Sequence, residues 1–197
     1  MVGRRRLDNL EHCVVEALRC GIPGDFIEAG VWRGGAAIFI RGILAARGVR
    51  DRLVVVADSF DGVPPPQLHL YPKDAAFDLH LDRSLAVSVD DVKANFSRFG
   101  LLDDQVHFVK GWFRDTLPTL ALQRWAVMRL DGDLYESTMD GLNNLYPGLS
   151  PGGFVIIDDY GAYAACAAAV DEYRRGHAIS EPLNRIDWTG VYWQKQA

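Results

Sequence analysis

Four aspartates fall at the ends of two apolar runs. LDGDLYEST puts Asp131 and Asp133 directly after Trp125–Leu130, and FVIIDDY puts Asp158 and Asp159 directly after Gly153–Ile157. One helix-length segment, Thr138–Tyr146, and the turn Ser150–Gly153 lie between, so the stretch reads as strand–helix–strand with parallel strands. If the strands are direct neighbours, their carboxyl ends sit about 5 Å apart. Carboxylates crowded there disfavour each other's ionisation. A hard divalent cation such as Mg²⁺, which takes oxygen ligands, relieves that cost. Helix capping and solvated strand ends are the competing explanation. Ser137 offers a cap for the helix after DGD, which leaves Asp131 and Asp133 for another task.

A second group of residues stands earlier, in EAGVWRGG: Glu28, Gly30, Trp32 and Gly34. The order strand, glycine-bearing turn, helix is the nucleotide-binding start of a doubly wound sheet. The full G-x-G-x-x-G fingerprint is absent, because Val31, Trp32 and Arg33 separate the glycines; this favours a nucleoside without a pyrophosphate. Asp58, followed by Ser59, ends the next strand, where an acid accepts hydrogen bonds from ribose hydroxyls in dinucleotide folds. Glu28 suits a cationic group such as an amino acid's ammonium. Adenosine, a sulfonium and an amino acid together make S-adenosylmethionine. Structural work at strand ends is the alternative for these acids too.

The elements needed to position these residues follow from periodicity. Helices are expected over Asp8–Arg19, with Asp8 and Glu11 as a capping box and Gly21 as the stop, and over Ala36–Arg47, Val89–Phe99 and Ala162–Arg174. In the third, Ser88 is the cap, Gly100 the stop, and Val92, Phe96 and Phe99 face inward. Strands are expected at Asp25–Val31, Leu53–Ala57, Val106–Val109, Trp125–Leu130 and Gly153–Ile157. A terminal hairpin pairs Ala178–Ile186 with Val191–Lys195. Ser59–Arg83, with four prolines and little periodicity, reads as a mobile loop or lid. Trp32, Trp112 and Tyr160 are candidates for the pocket wall.

At 197 residues and ordinary globular composition the chain fits one α/β domain. A net charge of −5 argues against a nucleic-acid partner, and no apolar run is long enough for a membrane span. Three cysteines without metal spacing suit a reducing cytoplasm.

LDGDLYESTMDGL, GGFVIIDDYG, ADSFDGVPPP, VKGWFRDTLP and RLDNLEHCV with EAGVWRGG resemble the macrocin O-methyltransferase family over nearly the whole chain. The resemblance implies a class I S-adenosylmethionine methyltransferase: a Rossmann-like, mostly parallel sheet with an antiparallel C-terminal hairpin, spanning 1–197. It implies methylation of a sugar hydroxyl on a glycosylated natural product, with Mg²⁺ or another divalent ion. Asp131, Asp158 and Asp159 then correspond to metal ligands and Asp133 to the general base. Glu28, Gly30, Trp32, Gly34, Asp58, Ser59 and Asp131 correspond to the cofactor site, with Ser88, Gly111 and Trp112 bordering adenine. A homodimer or higher homo-oligomer is expected. Family members carry further residues ahead of the RLDNL helix that cover the site and pair subunits. Here Arg6 and Leu7 follow almost directly from Met1, so a short or trimmed start bears on the lid, the oligomer and full activity. The residues alone leave open a catechol or other diol acceptor, a non-catalytic nucleoside-binding protein, and, more weakly, a metal-dependent hydrolase.

Overall fold

The computed structural model describes residues 2–196. Helix α1 (Arg4–Arg19) precedes β1 (Asp25–Ala29), α2 (Gly35–Ala46) and β2 (Val54–Asp58). After a long connection come α3 (Val89–Arg98), β3 (Val106–Lys110), the single turn α4 (Phe113–Thr116) and β4 (Trp125–Leu130). The chain ends with α5 (Tyr135–Leu145), β5 (Leu149–Ile157), α6 (Ala164–Gly176), β6 (Asn184–Arg185) and β7 (Val191–Gln194).

The strands form one sheet in the order β3-β2-β1-β4-β5-β7-β6. The first five are parallel, and β7 runs antiparallel to both β5 and β6. The order reverses between β1 and β4, and open α/β sheets bind ligands in the crevice at that reversal. Helices cover both faces, so the central strands are mostly apolar and every residue of β4 is buried, Arg129 among them. One core packs Leu10, Cys13 and Val14 of α1 and Ile40 and Leu44 of α2 against Phe26, Val54 and Val56. The other packs Leu142 and Leu145 of α5 and Val170 and Tyr173 of α6 against Ile27, Met128 and Val155. Successive strand residues thus serve opposite layers. Among the described residues, no helix is long and apolar enough to cross a membrane.

Several local expectations are corrected. Asp8 does not begin α1: the helix starts at Arg4 after Gly3, and Asp8 instead accepts from Arg4 Nε at 2.9 Å one turn away. Glu11 therefore lies mid-helix and completes no capping box. Phe99 is 68% exposed, because it sits one residue past α3, where the chain leaves the inward face shared by Val92 and Phe96. The expected strand Ala178–Ile186 shrinks to Asn184–Arg185; Pro182, which has no N–H to give a ladder, lies in the return loop.

The cap of α5 is the most informative difference. Ser137 lies inside the helix, and the N-cap position is Leu134, whose side chain offers no acceptor. The acceptor comes from 61 residues upstream. Asp74, fully buried in the long connection, accepts from Tyr135 N at 2.7 Å and Glu136 N at 3.2 Å. The connection between Ser59 and Arg83 is thereby docked on the helices. Lys73 is ion-paired to Glu172 of α6 and lies over the Tyr135 ring, and Phe77 packs edge-on against Tyr163. Asp74→Ala removes a buried cap and should cost about 1–2 kcal/mol of stability, read as a lower urea midpoint. An unchanged midpoint would show that α5 starts without it.

Candidate active site

The strand ladders carry the acidic residues to one edge. Asp131 N donates to Ala29 O and Asp158 N to Leu130 O, each at 2.9 Å, so β1, β4 and β5 end in step. At Gly30 a side chain is impossible: φ is +88°, and a Cβ would lie 1.8 Å from the Asp131 carbonyl oxygen. This close passage brings the glycine turn after β1 against the acids after β4. The chain then doubles back, with Leu134 N donating to Gly132 O at 2.6 Å and Asp133 left-handed at φ 58°. Asp133 N donates to Asp159 Oδ2 at 3.2 Å, and its own carboxyl turns over the same spot. One carboxylate oxygen from each of Asp131, Asp133 and Asp159 lies within 4.8 Å of the other two.

Asp158 stands apart from that triad. Its Oδ1 lies 2.5 Å from Arg129 Nη2, and its Oδ2 accepts from Arg6 Nη1. Arg6, on α1, also donates from Nε to Asp187 at 2.8 Å and from Nη2 to Thr189. Arg129, 2% exposed, further pairs with Glu28 Oε1 at 2.5 Å and Asp131 Oδ2 at 2.9 Å. Burial would pull the Arg129 guanidinium down, but the carboxylates of Asp131, Asp158 and Glu28 outweigh it and hold it well above its ordinary value. Burial pushes Asp159 far up, and Asp131, Asp133 and Asp158 push it further. Asp133 is raised to about 7, by burial first and then by Asp131 and Asp158. Asp158 is raised by burial, against the pull of Arg129 and Arg6.

This distribution fits a hard divalent cation. Three oxygen donors converge, their negative charge is unfavourable as it stands, and among the described residues only Asp131 of the three has an arginine partner.

Beside the triad a cavity of about 290 Å³ opens along the carboxyl edge, close to the lower bound of ~300 Å³ for small-molecule sites. Of the residues anticipated for a nucleoside, Gly30, Trp32, Asp58, Ser59, Trp112 and Asp131 line it. Asp58 is partly committed already: it accepts from Val31 N at 2.7 Å and Phe60 N at 2.8 Å, tying the first two strand-end loops together. Four anticipated residues do not line it. Glu28 is 1% exposed and spends its carboxylate on Arg129 and on Ala37 N at 2.7 Å; it braces α2 and β4 and does not face a ligand's ammonium. Gly34 packs against Val92, where a Cβ would come within 2.7 Å. Ser88 caps α3 through Asp91 N at 3.2 Å, and Gly111 turns the chain at φ +144°. Tyr160 likewise turns away, donating to Asp171 at 2.9 Å.

The cavity also has walls that sequence reasoning missed: Arg6, Phe113, Arg114, Glu136 and Asp140. Burial, then Glu136, pushes Asp140 up to about 6. Arg129 had a legible signal, since a lone charge inside the apolar run WAVMRL needs a buried partner. Glu28 and Arg129 stand in register on adjacent strands. Glu136 and Asp140, spaced i and i+4 after DGD, share one helix face.

A doubly wound sheet with acids at the β4 and β5 ends and a nucleoside-sized crevice over β1 and β2 defines a Rossmann-like methyltransferase of class I. The chain belongs to the Macrocin-O-methyltransferase (TylF) family, whose model matches residues 1–195, and is an O-methyltransferase. It is 56% identical over 200 residues to mycinamicin III 3''-O-methyltransferase of Micromonospora griseorubida, covering all of this chain and 78% of that protein. It is also 56% identical to 8-demethyl-8-(2,3-dimethoxy-alpha-L-rhamnosyl)-tetracenomycin-C 4'-O-methyltransferase of Streptomyces olivaceus, covering all of this chain and 76% of that one. Among solved structures, the O-methyltransferase NovP matches with a TM-score of 0.97 at 52% identity, over all of this chain and 81% of that chain.

The acid cluster gives metal-free protein a distinctive pH response. Asp133 has a folded value of about 7 against an ordinary 3.8, so the native state binds the extra proton between those values. Stability is therefore greatest on the acid side of that window and is lost as pH rises through about 7. The expected fall in metal-free Tm between about pH 5 and about pH 8 is on the order of 5 °C, and millimolar Mg²⁺ should flatten it. A Tm that rises over that range without metal would contradict the assignment.

Proposed function

We propose that this enzyme transfers a methyl group from S-adenosylmethionine to a sugar hydroxyl of a glycosylated natural product, with a divalent cation at the acid cluster. The observation that carries the reading is the convergence of Asp131, Asp133 and Asp159 beside the nucleoside crevice. The sugar acceptor is supported by the relatives: one is named for a rhamnosyl-bearing tetracenomycin methylated at 4', another for mycinamicin III methylated at 3''.

Asp131, Asp158 and Asp159 are the proposed ligands and Asp133 the proposed base. When bound, the cation lowers the pKa of a hydroxyl ligated to it, and the cosubstrate supplies an electrophilic methyl group. Asp133 takes the hydroxyl proton; its carboxylate stands in the same acid cluster that would hold the cation, beside the proposed ligands. Its left-handed turn sets that carboxylate beside those of Asp131 and Asp159. Trp32 and Trp112 border the crevice and restrict water, leaving the protein chiefly the task of orienting two bound reactants. Ser59–Arg83 is the proposed lid, anchored through Asp74 and Lys73. Cys13 and Cys166 are buried and Cys20 exposed, all unpaired, in keeping with a reducing cytoplasm.

Asp133→Asn should retain S-adenosylmethionine and Mg²⁺ binding by calorimetry while losing turnover by about 10²-fold or more. Undiminished turnover would assign the proton to another group. Asp158→Ala should weaken Mg²⁺ binding as much as Asp159→Ala does. Unchanged affinity in the Asp158 variant would give the third ligand position to Asp133, and the base would have to be sought elsewhere.

A further inference from the structure

Asp158 has a partner to which the proposed function gives no role. Both of its oxygens are occupied: Oδ1 lies 2.5 Å from Arg129 Nη2, and Oδ2 accepts from Arg6 Nη1. With Oδ2 turned to Arg6, Asp158 is not among the carboxylates that converge. The two arginines stand differently. Arg129 lies within β4, is 2% exposed and is not part of the cavity wall. Arg6 lines the cavity together with Asp158, Asp131, Asp133 and Asp159. The contact with Arg129 is sealed in the core, and the contact with Arg6 is open to the space beside the acids.

Arg6 is held without Asp158. Its Nε donates to Asp187 Oδ2 at 2.8 Å, and its Nη2 donates to Thr189 Oγ1. Asp187 is fixed in turn, because its Oδ1 accepts from Thr189 N at 2.9 Å and Gly190 N at 2.8 Å. Loss of the Nη1 contact therefore leaves the guanidinium paired with a carboxylate, and a buried charge that keeps a partner is tolerated. Asp158 is in the same position. A carboxylate ligates a hard cation through its oxygen lone pairs. Asp158 can offer Oδ2 while Arg129 keeps Oδ1 and fixes the orientation of the group.

We propose that Arg6 is a positioning residue that competes with the divalent cation for Asp158. Nη1 holds Oδ2 and compensates its charge until the ion displaces it, and this exchange sets the affinity of the site. Asp158 is thereby kept oriented and charge-paired before loading, and binding of the ion is weakened to the same extent. This inference rests on the divalent-cation reading.

Calorimetry with Mg²⁺ alone tests it, on the wild type, Arg6→Gln, Asp158→Ala and the double variant. Removing a merely structural side chain would weaken binding. Competition predicts the opposite sign: Arg6→Gln should bind Mg²⁺ about tenfold more tightly, the worth of one charge-assisted hydrogen bond that no longer has to be displaced. In the Asp158→Ala background the same substitution should change affinity by less than about threefold, because the contested oxygen is gone. Side-chain NMR of the wild type needs no variant to fold. Mg²⁺ should speed exchange of the Arg6 Nη1 protons with water and leave the Nε proton, on Asp187, protected. Unchanged or weaker Mg²⁺ binding by Arg6→Gln overturns the proposal. So does a tightening that persists in the Asp158→Ala background, and so does Nη1 exchange that Mg²⁺ leaves unaltered while it binds. A wild type that takes up no Mg²⁺ refutes the cation reading itself, which is a different result.

Discussion

The guanidinium of Arg129 sits 2% exposed among the carboxylates of Glu28, Asp131 and Asp158. Those residues come from the ends of three adjacent strands, so one buried cation joins β1, β4 and β5 where the site is built. A buried charge is tolerable only when it is paired, and removing one partner leaves the others uncompensated. Asp158 is divided between Arg129 and Arg6, and Arg6 carries the tie onward to Asp187 near the C-terminal strands. The geometry of the acid cluster thus depends on pairings that face away from it.

The same accounting shows where negative charge is left over at this edge. Two guanidinium groups, Arg6 and Arg129, stand against five carboxyls at this edge: Glu28, Asp131, Asp133, Asp158 and Asp159. The surplus falls on Asp133 and Asp159, both raised by burial and by their acidic neighbours. The fold has gathered negative oxygens without supplying a side chain to neutralise them all.

The long connection after β2 is also more than a spacer. Asp74 caps α5, and Gln67 bonds Glu136 within the same helix turn. Movement of that connection would alter both the start of α5 and the cavity wall. Access to the crevice and the setting of its carboxylates are therefore linked through one segment of chain.

The sequence by itself determined the parallel α/β scaffold, because strands buried on both faces must be continuously apolar and each ended at a recognisable acid or glycine. It also carried the four aspartates and their two-strand spacing, and the family to which they point. What the tertiary structure decided was the partner of each charge. Glu28 faces Arg129, Asp158 faces two arginines, and Asp133 joins Asp131 and Asp159 because of a left-handed turn that no periodicity announces. Asp74 reaches α5 across 61 residues, and Gln67 reaches Glu136 of the same helix across 69. Local patterning reports which face of an element is buried. Whether a buried carboxylate meets a guanidinium, a backbone N–H or an open crevice depends on chain segments far away in sequence, and only the folded packing brings them together.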